Sequence, residues 1–241
     1  MAHFSSETKL PSCVVTKELI ESIEKYLRAK FLTLAASDED KKLLEEAISI
    51  SITDSFGTER LNSISEFSLP RFSDDTTRLS IAIRRPYRSS FDAFEVDVQF
   101  DVSRTFSRAK AEYEGSNSRE FVTGLLQGIQ NCVATKKTKN SLFHLPPGPE
   151  GALWGLALFS PAFAMSIFRA SSPLTYIPFF AALTLFAYLF GAKRLRPYTT
   201  FDSNLADRRD GFWNWFVGGF LSFIVFSSVL AKFRDVLLGW L

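Results

Sequence analysis

The sequence predicts an α+β fold, with an N-terminal antiparallel sheet flanked by helices and a C-terminal bundle of three transmembrane helices. Apolar and polar residues alternate in several segments of residues 1–140, and helical apolar spacing flanks those segments. Three long uncharged runs follow the first 150 residues. Alternation is typical of half-buried strands, and such runs are typical of membrane spans. We therefore predict an α+β domain over 1–140, a Pro-rich linker over 141–150 and a transmembrane region over 151–241.

The first predicted element is an amphipathic helix from about Thr16 to Leu34, because apolar residues recur there at helical spacing. The residues of its apolar face are Leu19, Ile20, Ile23, Tyr26, Leu27, Phe31 and Leu34. A second helix start is predicted at Ser37, since the acidic residues at 38–40 would lie at the positive end of the helix dipole.

The strands are predicted from period-2 alternation. Isoleucines alternate with Ser and Thr at 48–53, and the same pattern recurs at 79–84. The clearest case is FEVDVQFDV at 94–102, in which every second residue is apolar. Weaker strands are predicted at Glu59–Phe67, after a turn, and at Phe106–Glu114. These segments predict an antiparallel sheet with one apolar face.

The last helix of the domain is predicted to begin at Ser118, whose hydroxyl can cap the first turn. Its apolar stripe consists of Phe121, Val122, Leu125, Leu126, Ile129 and Val133. A sheet with helices covering one face is the simplest arrangement that buries the apolar faces of these elements.

Membrane spans are predicted at about 151–168, 174–192 and 212–231. Twenty uncharged residues form a helix of roughly 30 Å, which matches the hydrocarbon thickness of a bilayer. Aromatic residues suited to the headgroup level lie near the ends of these runs: Trp154, Tyr176, Tyr188, Trp213 and Trp215. The third run has an alternative, in which it enters the bilayer only partly and the tail KFRDVLLGWL lies at a surface.

The distribution of basic residues predicts the orientation. The start MAHFSSETKLPSC has no apolar core of the kind that a secretory signal needs. Basic residues flank the first two spans on one side, and we predict that they contact the membrane surface: Lys136, Lys137, Lys139, Lys193, Arg194 and Arg196. We therefore expect an integral membrane protein with a cytoplasmic N-terminal domain.

The residues that catalysis needs are scarce. The chain has two histidines: His3 is expected in a loose terminus and His144 in the linker, so neither is expected to be oriented as a base or metal ligand. Cys132 lies beside an apolar stripe and is interpreted as a boundary residue. No phosphate-binding glycine motif occurs. The sequence therefore predicts a protein that is not an enzyme and holds no cofactor or metal.

The polar face of the predicted sheet admits two interpretations. If sequential strands pair, acidic residues of the strand at 94–102 lie beside basic residues of both neighbours, which gives a solvated ladder of opposite charges. Alternatively the face recognises a partner or a small anionic ligand, since guanidinium groups at a strand end can hold phosphate or carboxylate. The candidate binding residues are then Arg84, Arg85, Tyr87 and Arg88.

The overall pattern resembles that of a group of uncharacterised bacterial membrane proteins. The resemblance is carried by ISISITDSFGTERLNSISEF, LSIAIRRPY, FEVDVQFDV and REFVTGLLQGI, followed by a hairpin of spans. These proteins join a small strand-rich cytoplasmic domain to two or more transmembrane helices. The resemblance implies that architecture in a bacterial inner membrane, and it assigns no functional residue.

Two functions follow as hypotheses. The first is a membrane-anchored binding or sensor module, whose partners are the lipid bilayer, a protein or second copy, and a small polar or anionic ligand. The second is a membrane-perturbing effector, whose spans oligomerise when the domain receives a signal. The net charge of +2 does not indicate nucleic acid. The absence of ionisable residues in the middle of the uncharged runs disfavours a transporter.

Overall fold

A computed structural model describes residues 2–34, 47–84, 94–167, 176–192, 195–215, 219 and 222. The chain divides into two compact units, Met1–Asp202 and Ser203–Leu241. The first unit contains a six-stranded antiparallel sheet flanked by helices, which confirms the α+β class predicted for the N-terminal domain. The second unit contains a helical stretch at 204–215.

The large sheet has the strand order β1-β7-β6-β5-β3-β4, and every neighbouring pair is antiparallel. Its strands are β1 (Ala2–Lys9), β3 (Ile48–Thr53), β4 (Thr58–Leu61), β5 (Arg78–Arg84), β6 (Phe94–Asp101) and β7 (Arg108–Gly115). The predicted strands at 48–53, 79–84 and 94–102 are confirmed, as is the last strand of the sheet.

Two parts of the sheet differ from the prediction. The strand predicted at Glu59–Phe67 ends at Leu61 and is followed by a 3-10 helix at Ile64–Glu66. The N-terminal residues form β1, an edge strand that pairs along its full length with β7. The expectation that His3 lies in a loose terminus is therefore wrong. Hydrogen bonds to an antiparallel neighbour fix this segment, although its apolar alternation is weak.

Two helices cover one face of the sheet, α1 (Lys17–Leu32) and α2 (Ser118–Ala134). Both were predicted. The hydroxyl of Thr16 accepts a hydrogen bond from the amide of Leu19 and caps α1. The N-cap of α2 is Asn117, at φ 58°, and its side chain makes no capping bond. The prediction that Ser118 caps this helix is wrong, because the left-handed turn begins one residue earlier. The helix start predicted at Ser37 lies outside the described residues.

The apolar faces of these elements form one core. Ile20, Ile23, Ile81 and Val98 are fully buried in it. Phe31 of α1 stacks on Phe94 of β6, with ring centroids 4.3 Å apart. Burial of this kind contributes about 1.5–3 kcal/mol per large apolar side chain. The core therefore makes the sheet and its two helices one stable body.

The helices that follow α2 lie outside this core, whereas Phe201, further along the chain, is part of it. A 3-10 helix at Asn140–Phe143 precedes α3 (Pro147–Ile167) and α4 (Tyr176–Ala187), and a π-helical turn follows α4. The segment predicted as a linker thus contains a 3-10 helix and the first turn of α3. We call α3 and α4 the apolar hairpin.

The two ends of the sheet have different neighbours. Thr53, Arg78, Asp101 and Arg108 lie at one end, and a second, two-stranded sheet joins the chain there through β2 (Val14–Val15) and β8 (Thr200–Phe201). We call this the hairpin end, because the chain enters and leaves the apolar hairpin next to it. The far end carries the opposite strand ends, including Arg84. Six residue steps along β5 separate the two ends by roughly 20 Å.

Candidate functional site

The segments that lead into and out of the apolar hairpin are bound to the sheet domain by a collar. The collar consists of residues 10–15, 136–141 and 197–202, with the first segment in the middle. On one side the amide of Val14 donates to the carbonyl of Lys136 over 3.0 Å. On the other side β2 pairs in parallel with β8. Both arms of the hairpin therefore end in backbone hydrogen bonds to the same short segment.

Buried side chains complete the collar. The amide of Asn140 donates to the carbonyl of Pro197 over 2.9 Å and to the hydroxyl of Thr200 over 3.3 Å. The hydroxyl of Ser12 donates to the carbonyl of Thr138 over 2.9 Å. Asn140 and Ser12 are both buried. A buried polar group that loses its partner costs about 1–3 kcal/mol, so these bonds hold the arms in place.

The collar is fixed in turn to the hairpin end of the sheet. The amide of Tyr198 donates to the carbonyl of Val102 over 3.0 Å, directly after β6. The hydroxyl of Tyr198 donates to the carbonyl of Leu10 over 2.8 Å. The hydroxyls of Ser107 and Thr199 lie 3.1 Å apart, and both residues are buried. Hydrogen bonds therefore join the outgoing arm of the hairpin to this end of the sheet.

His144 lies between the two arms. Its Nε2 atom is 2.7 Å from the carbonyl oxygen of Arg196, and its ring meets that of Tyr198 edge to face. The guanidinium of Arg104 donates to the carbonyl of His144 over 2.6 Å. His144 was expected in a linker without a supporting scaffold, whereas two other segments hold it in place. A Pro-rich sequence indicates a stiff connection, but it does not show that the connection docks against a distant segment.

The two helices of the apolar hairpin pack through small and aromatic residues. Ala157 of α3 and Ala182 of α4 are buried, which is typical of helices that approach closely. Trp154 contacts the rings of Phe186 and Phe190 edge to face, at 5.4 and 4.9 Å. Since Trp154 lies early in α3 and Phe186 late in α4, the two helices run antiparallel.

The outer surface of the hairpin is apolar. Phe159 is 71% exposed on α3, and Phe180 is 62% exposed on α4. Other large apolar side chains are also exposed on the two helices: Leu156, Leu158, Phe179 and Leu183. Several large exposed apolar side chains on two packed helices are typical of a surface that contacts a protein or a membrane.

No helix in the described ranges is both long enough and apolar enough to cross a membrane. The predicted span at 174–192 begins before α4, in residues that the structure does not describe, and most of the span at 212–231 also lies outside the described residues. In the second unit, Phe212 and Trp215 are exposed and their rings lie 6.1 Å apart.

The basic residues predicted to contact a membrane surface lie partly at the hairpin end. Lys136 and Lys137 follow α2 within the collar and are exposed, as is Lys139. Arg196 is half-buried in the outgoing arm, where its carbonyl meets His144. Residues 193–194 lie outside the described part of the chain. Membrane contact by this group stays a prediction.

The residues predicted to bind a ligand lie at the far end of the sheet. Arg84 ends β5, and its Nε atom is 3.0 Å from a carboxylate oxygen of Glu95 on β6. Its side chain is 72% exposed. Arg85, Tyr87 and Arg88 lie outside the described residues, so the structure does not show whether they join Arg84. Ligand binding by this patch stays a prediction.

The predicted ladder of opposite charges is present on the polar face of the sheet. Between β5 and β6, Arg78 is opposite Asp101 and Arg84 is opposite Glu95. Between β6 and β7, Asp97 is opposite Lys110. The Nε atom of Arg78 lies 2.9 Å from Asp101. Cross-strand pairs of this type contribute about 0.2–1 kcal/mol each, so the ladder by itself explains these charges as sheet stabilisation.

The pKa values of two carboxyl groups on this face are shifted in opposite directions. Partial burial raises the pKa of Asp97, and nearby guanidinium groups, chiefly that of Arg84, only partly offset it. Hydrogen bonds from Lys110 and then Ser5 lower the pKa of Glu112. The face therefore holds one carboxylate that resists ionisation and one that favours it.

The described residues contain no group of three or more His, Cys, Asp or Glu side chains that could hold a metal ion. Cys13 is buried within the collar, and burial raises the pKa of its thiol to about 12. Burial also raises the pKa of the Cys132 thiol. Both thiols therefore resist ionisation, which disfavours them as nucleophiles.

No protein-family model, curated protein or solved structure matches this chain. The resemblance to bacterial membrane proteins therefore stays a prediction, and function is inferred from the residues of this chain alone.

Sequence reasoning missed the collar. Its members are three short segments that lie far apart in the sequence, without the periodicity that indicates an element. One signal was present: PYTTFDS, at 197–203, is a polar and aromatic segment suited to docking, and it directly follows the basic residues after the second apolar run.

Proposed function

We propose that this protein is a membrane-anchored binding or sensor module, in which the apolar hairpin enters the bilayer and the sheet domain is held at its surface. The exposed apolar surface of α3 and α4 carries this proposal. Exposure of that surface to water costs about 25 cal/mol of hydrophobic free energy for each Å² of apolar area. In a bilayer the lipid chains cover it.

Three spans complete the proposed anchor. The uncharged runs at 151–168, 174–192 and 212–231 extend beyond the described helices, and their lengths suit a bilayer. In this arrangement the sheet domain is cytoplasmic, because the basic residues that flank the first two runs favour that side.

The far end of the sheet is the proposed recognition surface. Arg84 lies there with an exposed guanidinium, and Arg85, Tyr87 and Arg88 follow it in the sequence. This end is separated from the collar by roughly 20 Å of strand, so a protein or an anionic ligand can approach it from the aqueous side. Guanidinium groups suit carboxylate and phosphate groups on such a partner.

Membrane anchoring is tested by washing membranes that contain the full chain with alkaline carbonate. We expect the protein to stay in the membrane fraction. A matched variant, Phe159→Arg with Phe180→Arg, should be released to a greater extent, while hydrogen exchange of the sheet amides shows that the domain is still folded. Release of the wild-type chain into the carbonate supernatant would contradict the anchor.

Recognition is tested by the mass of the intact protein extracted in mild detergent. The sensor proposal predicts one copy of 27.2 kDa with an added polypeptide or small molecule. The variant Arg84→Ala/Arg85→Ala/Arg88→Ala should lose the added mass, whereas Arg60→Ala, an exposed arginine on another strand of the sheet, should retain it. Equal retention by both variants would remove the far end from the proposal.

The collar favours a second candidate, a membrane-perturbing effector. A passive anchor needs no more than a tether, whereas here both arms of the hairpin are hydrogen-bonded to the collar segment 10–15 of the sheet domain. In this alternative a signal received by the domain changes the hairpin, and several copies assemble in the bilayer. It predicts an intact mass that is a multiple of 27.2 kDa and loss of membrane potential in cells that overproduce the full chain. A normal membrane potential at high expression would exclude it.

A further inference from the structure

The turn between β3 and β4 presents an aromatic side chain to solvent. Phe56 is 90% exposed at the tip of this turn. The carboxylate of Asp54 accepts hydrogen bonds from the amides of Phe56 and Gly57, at 2.8 and 3.1 Å. Gly57 has φ 148°, which a residue with a side chain rarely adopts. The turn therefore fixes its backbone while it leaves a large apolar ring uncovered.

This turn lies at the hairpin end of the sheet. A row of backbone hydrogen bonds connects it to the outgoing arm of the hairpin. The amide of Thr77 donates to Thr53, that of Val102 donates to Thr77, and that of Tyr198 donates to Val102, at 2.9, 3.2 and 3.0 Å. Three spacings between adjacent strands amount to roughly 14 Å. Phe56 and the base of the hairpin are therefore parts of one continuous rim.

A second exposed aromatic residue and a basic group lie on the same rim. Phe106, between β6 and β7, is 48% exposed, and the guanidinium of Arg78 lies 5.7 Å from the centre of its ring. At the collar side, Lys136, Lys137 and Lys139 are exposed. Aromatic rings with neighbouring cationic groups suit the headgroup region of a bilayer, where apolar and charged groups meet.

We infer that the hairpin end of the sheet is a lipid-contacting surface, in which Phe56 and Phe106 enter the headgroup layer and the three collar lysines contact anionic headgroups. The inference rests on the proposed membrane anchor, because the hairpin brings this rim to the bilayer. Charge complementarity at the collar favours anionic lipid as the partner. Two carboxylates at the turn are held by hydrogen bonds within the protein: Asp54 accepts from the two turn amides, and Asp75, on a neighbouring segment, accepts from the hydroxyl of Ser55 over 3.1 Å.

The contact is tested with an environment-sensitive fluorophore on the full chain in vesicles. The label is attached through Phe56→Cys or Phe106→Cys in a Cys132→Ser background, since Cys13 is fully buried. The matched control is Arg84→Cys, at the exposed far end of the same sheet. In vesicles containing phosphatidylserine we expect blue-shifted and several-fold brighter emission at positions 56 and 106, and aqueous emission at position 84.

The lipid class is tested with the same labels. Vesicles of phosphatidylcholine alone, or the variant Lys136→Gln/Lys137→Gln/Lys139→Gln in phosphatidylserine vesicles, should shift the emission at position 106 towards the aqueous value. Equal emission in both lipids would overturn the preference for anionic headgroups.

Flotation of every labelled protein with the vesicles separates the two proposals. A protein that floats while positions 56 and 106 report water would overturn the rim contact and leave the anchor intact. A wild-type chain that does not float would contradict the anchor itself.

Discussion

The sheet core and the apolar hairpin use the same residue types in opposite surroundings. In the sheet, Ile81 and Val98 are fully buried beneath α1 and α2. In the hairpin, Phe159 and Phe180 point outward and remain more than half exposed. The core is covered by the sheet and its two helices, whereas the hairpin helices contact each other through small and aromatic residues and leave these outer side chains exposed. We propose that lipid covers them.

The collar separates these two regions. It is built from polar groups, and its hydrogen bonds are formed in protein rather than with water. Such a junction allows a strongly apolar hairpin to be attached to a water-facing domain without opening the core. Both arms of the hairpin are hydrogen-bonded at this junction.

The largest expected effect distinguishes the two regions directly. Ile81→Ala leaves a cavity in the core and should lower the free energy of unfolding of the sheet domain by about 2–5 kcal/mol. Phe180→Ala removes an exposed side chain and should leave that free energy unchanged. Hydrogen exchange of β5 and β6 amides in detergent measures both variants. Comparable loss of protection in the two would mean that the hairpin surface belongs to the domain core.

A smaller effect tests the collar. Tyr198→Phe leaves the carbonyl of Leu10 without its buried partner and should destabilise the junction by about 1–2 kcal/mol. Tyr26→Phe is the matched control, because the Tyr26 hydroxyl donates to the carbonyl of Gly124 in an exposed position. Limited proteolysis next to 195–202 should therefore accelerate only in Tyr198→Phe. Identical cleavage rates would show that the buried bond does not hold the arm.

The smallest effects concern the polar face of the sheet. The pKa of Asp97 in the folded protein is raised above its ordinary value of 3.8, so the folded state binds the proton more tightly than the unfolded state. The free energy of unfolding therefore falls as the pH rises from 3.8 through the raised pKa. Asp97→Asn should therefore stabilise the domain at neutral pH, and the gain should disappear in acid. The effect should stay below about 1 kcal/mol, since the group is only half-buried.

Glu112→Gln should have the opposite sign. The pKa of Glu112 is lowered in the folded protein, so its ionised carboxylate stabilises the fold above pH 4.5. This stabilisation is lost as the pH falls through the lowered pKa. The substitution should destabilise the domain at neutral pH by less than about 1 kcal/mol and have little effect in acid. Denaturant midpoints across the acidic range measure both variants. Curves of the same sign would contradict the assignment of the two environments.

Much of the sheet domain is predictable from the sequence because its elements have strong periodicity. The alternation around Ile81 and Val98 and the helical stripe around Ile23 determine which face is buried. The pairing of Arg84 with Glu95 also follows, once sequential strands are assumed to pair. These features depend on local pattern and on neighbours that are close in the sequence.

The remaining features depend on contacts between distant segments. β1 has a weak apolar pattern and is fixed by pairing with β7, a hundred residues later. His144 was expected in a simple linker, but Arg104 and Arg196 hold it from two other segments. Tertiary hydrogen bonds of this kind leave no periodic signal, so sequence reasoning finds the residues without finding their arrangement.

The most direct test of the central claim is the collision of spin labels with oxygen and with a water-soluble nickel complex, measured on the full chain in vesicles. Labels are placed through Phe159→Cys and Phe180→Cys in the hairpin and Arg84→Cys at the far end, in the Cys132→Ser background. We expect oxygen to dominate at positions 159 and 180 and nickel to dominate at position 84. Nickel accessibility at the hairpin positions equal to that at position 84 would contradict it.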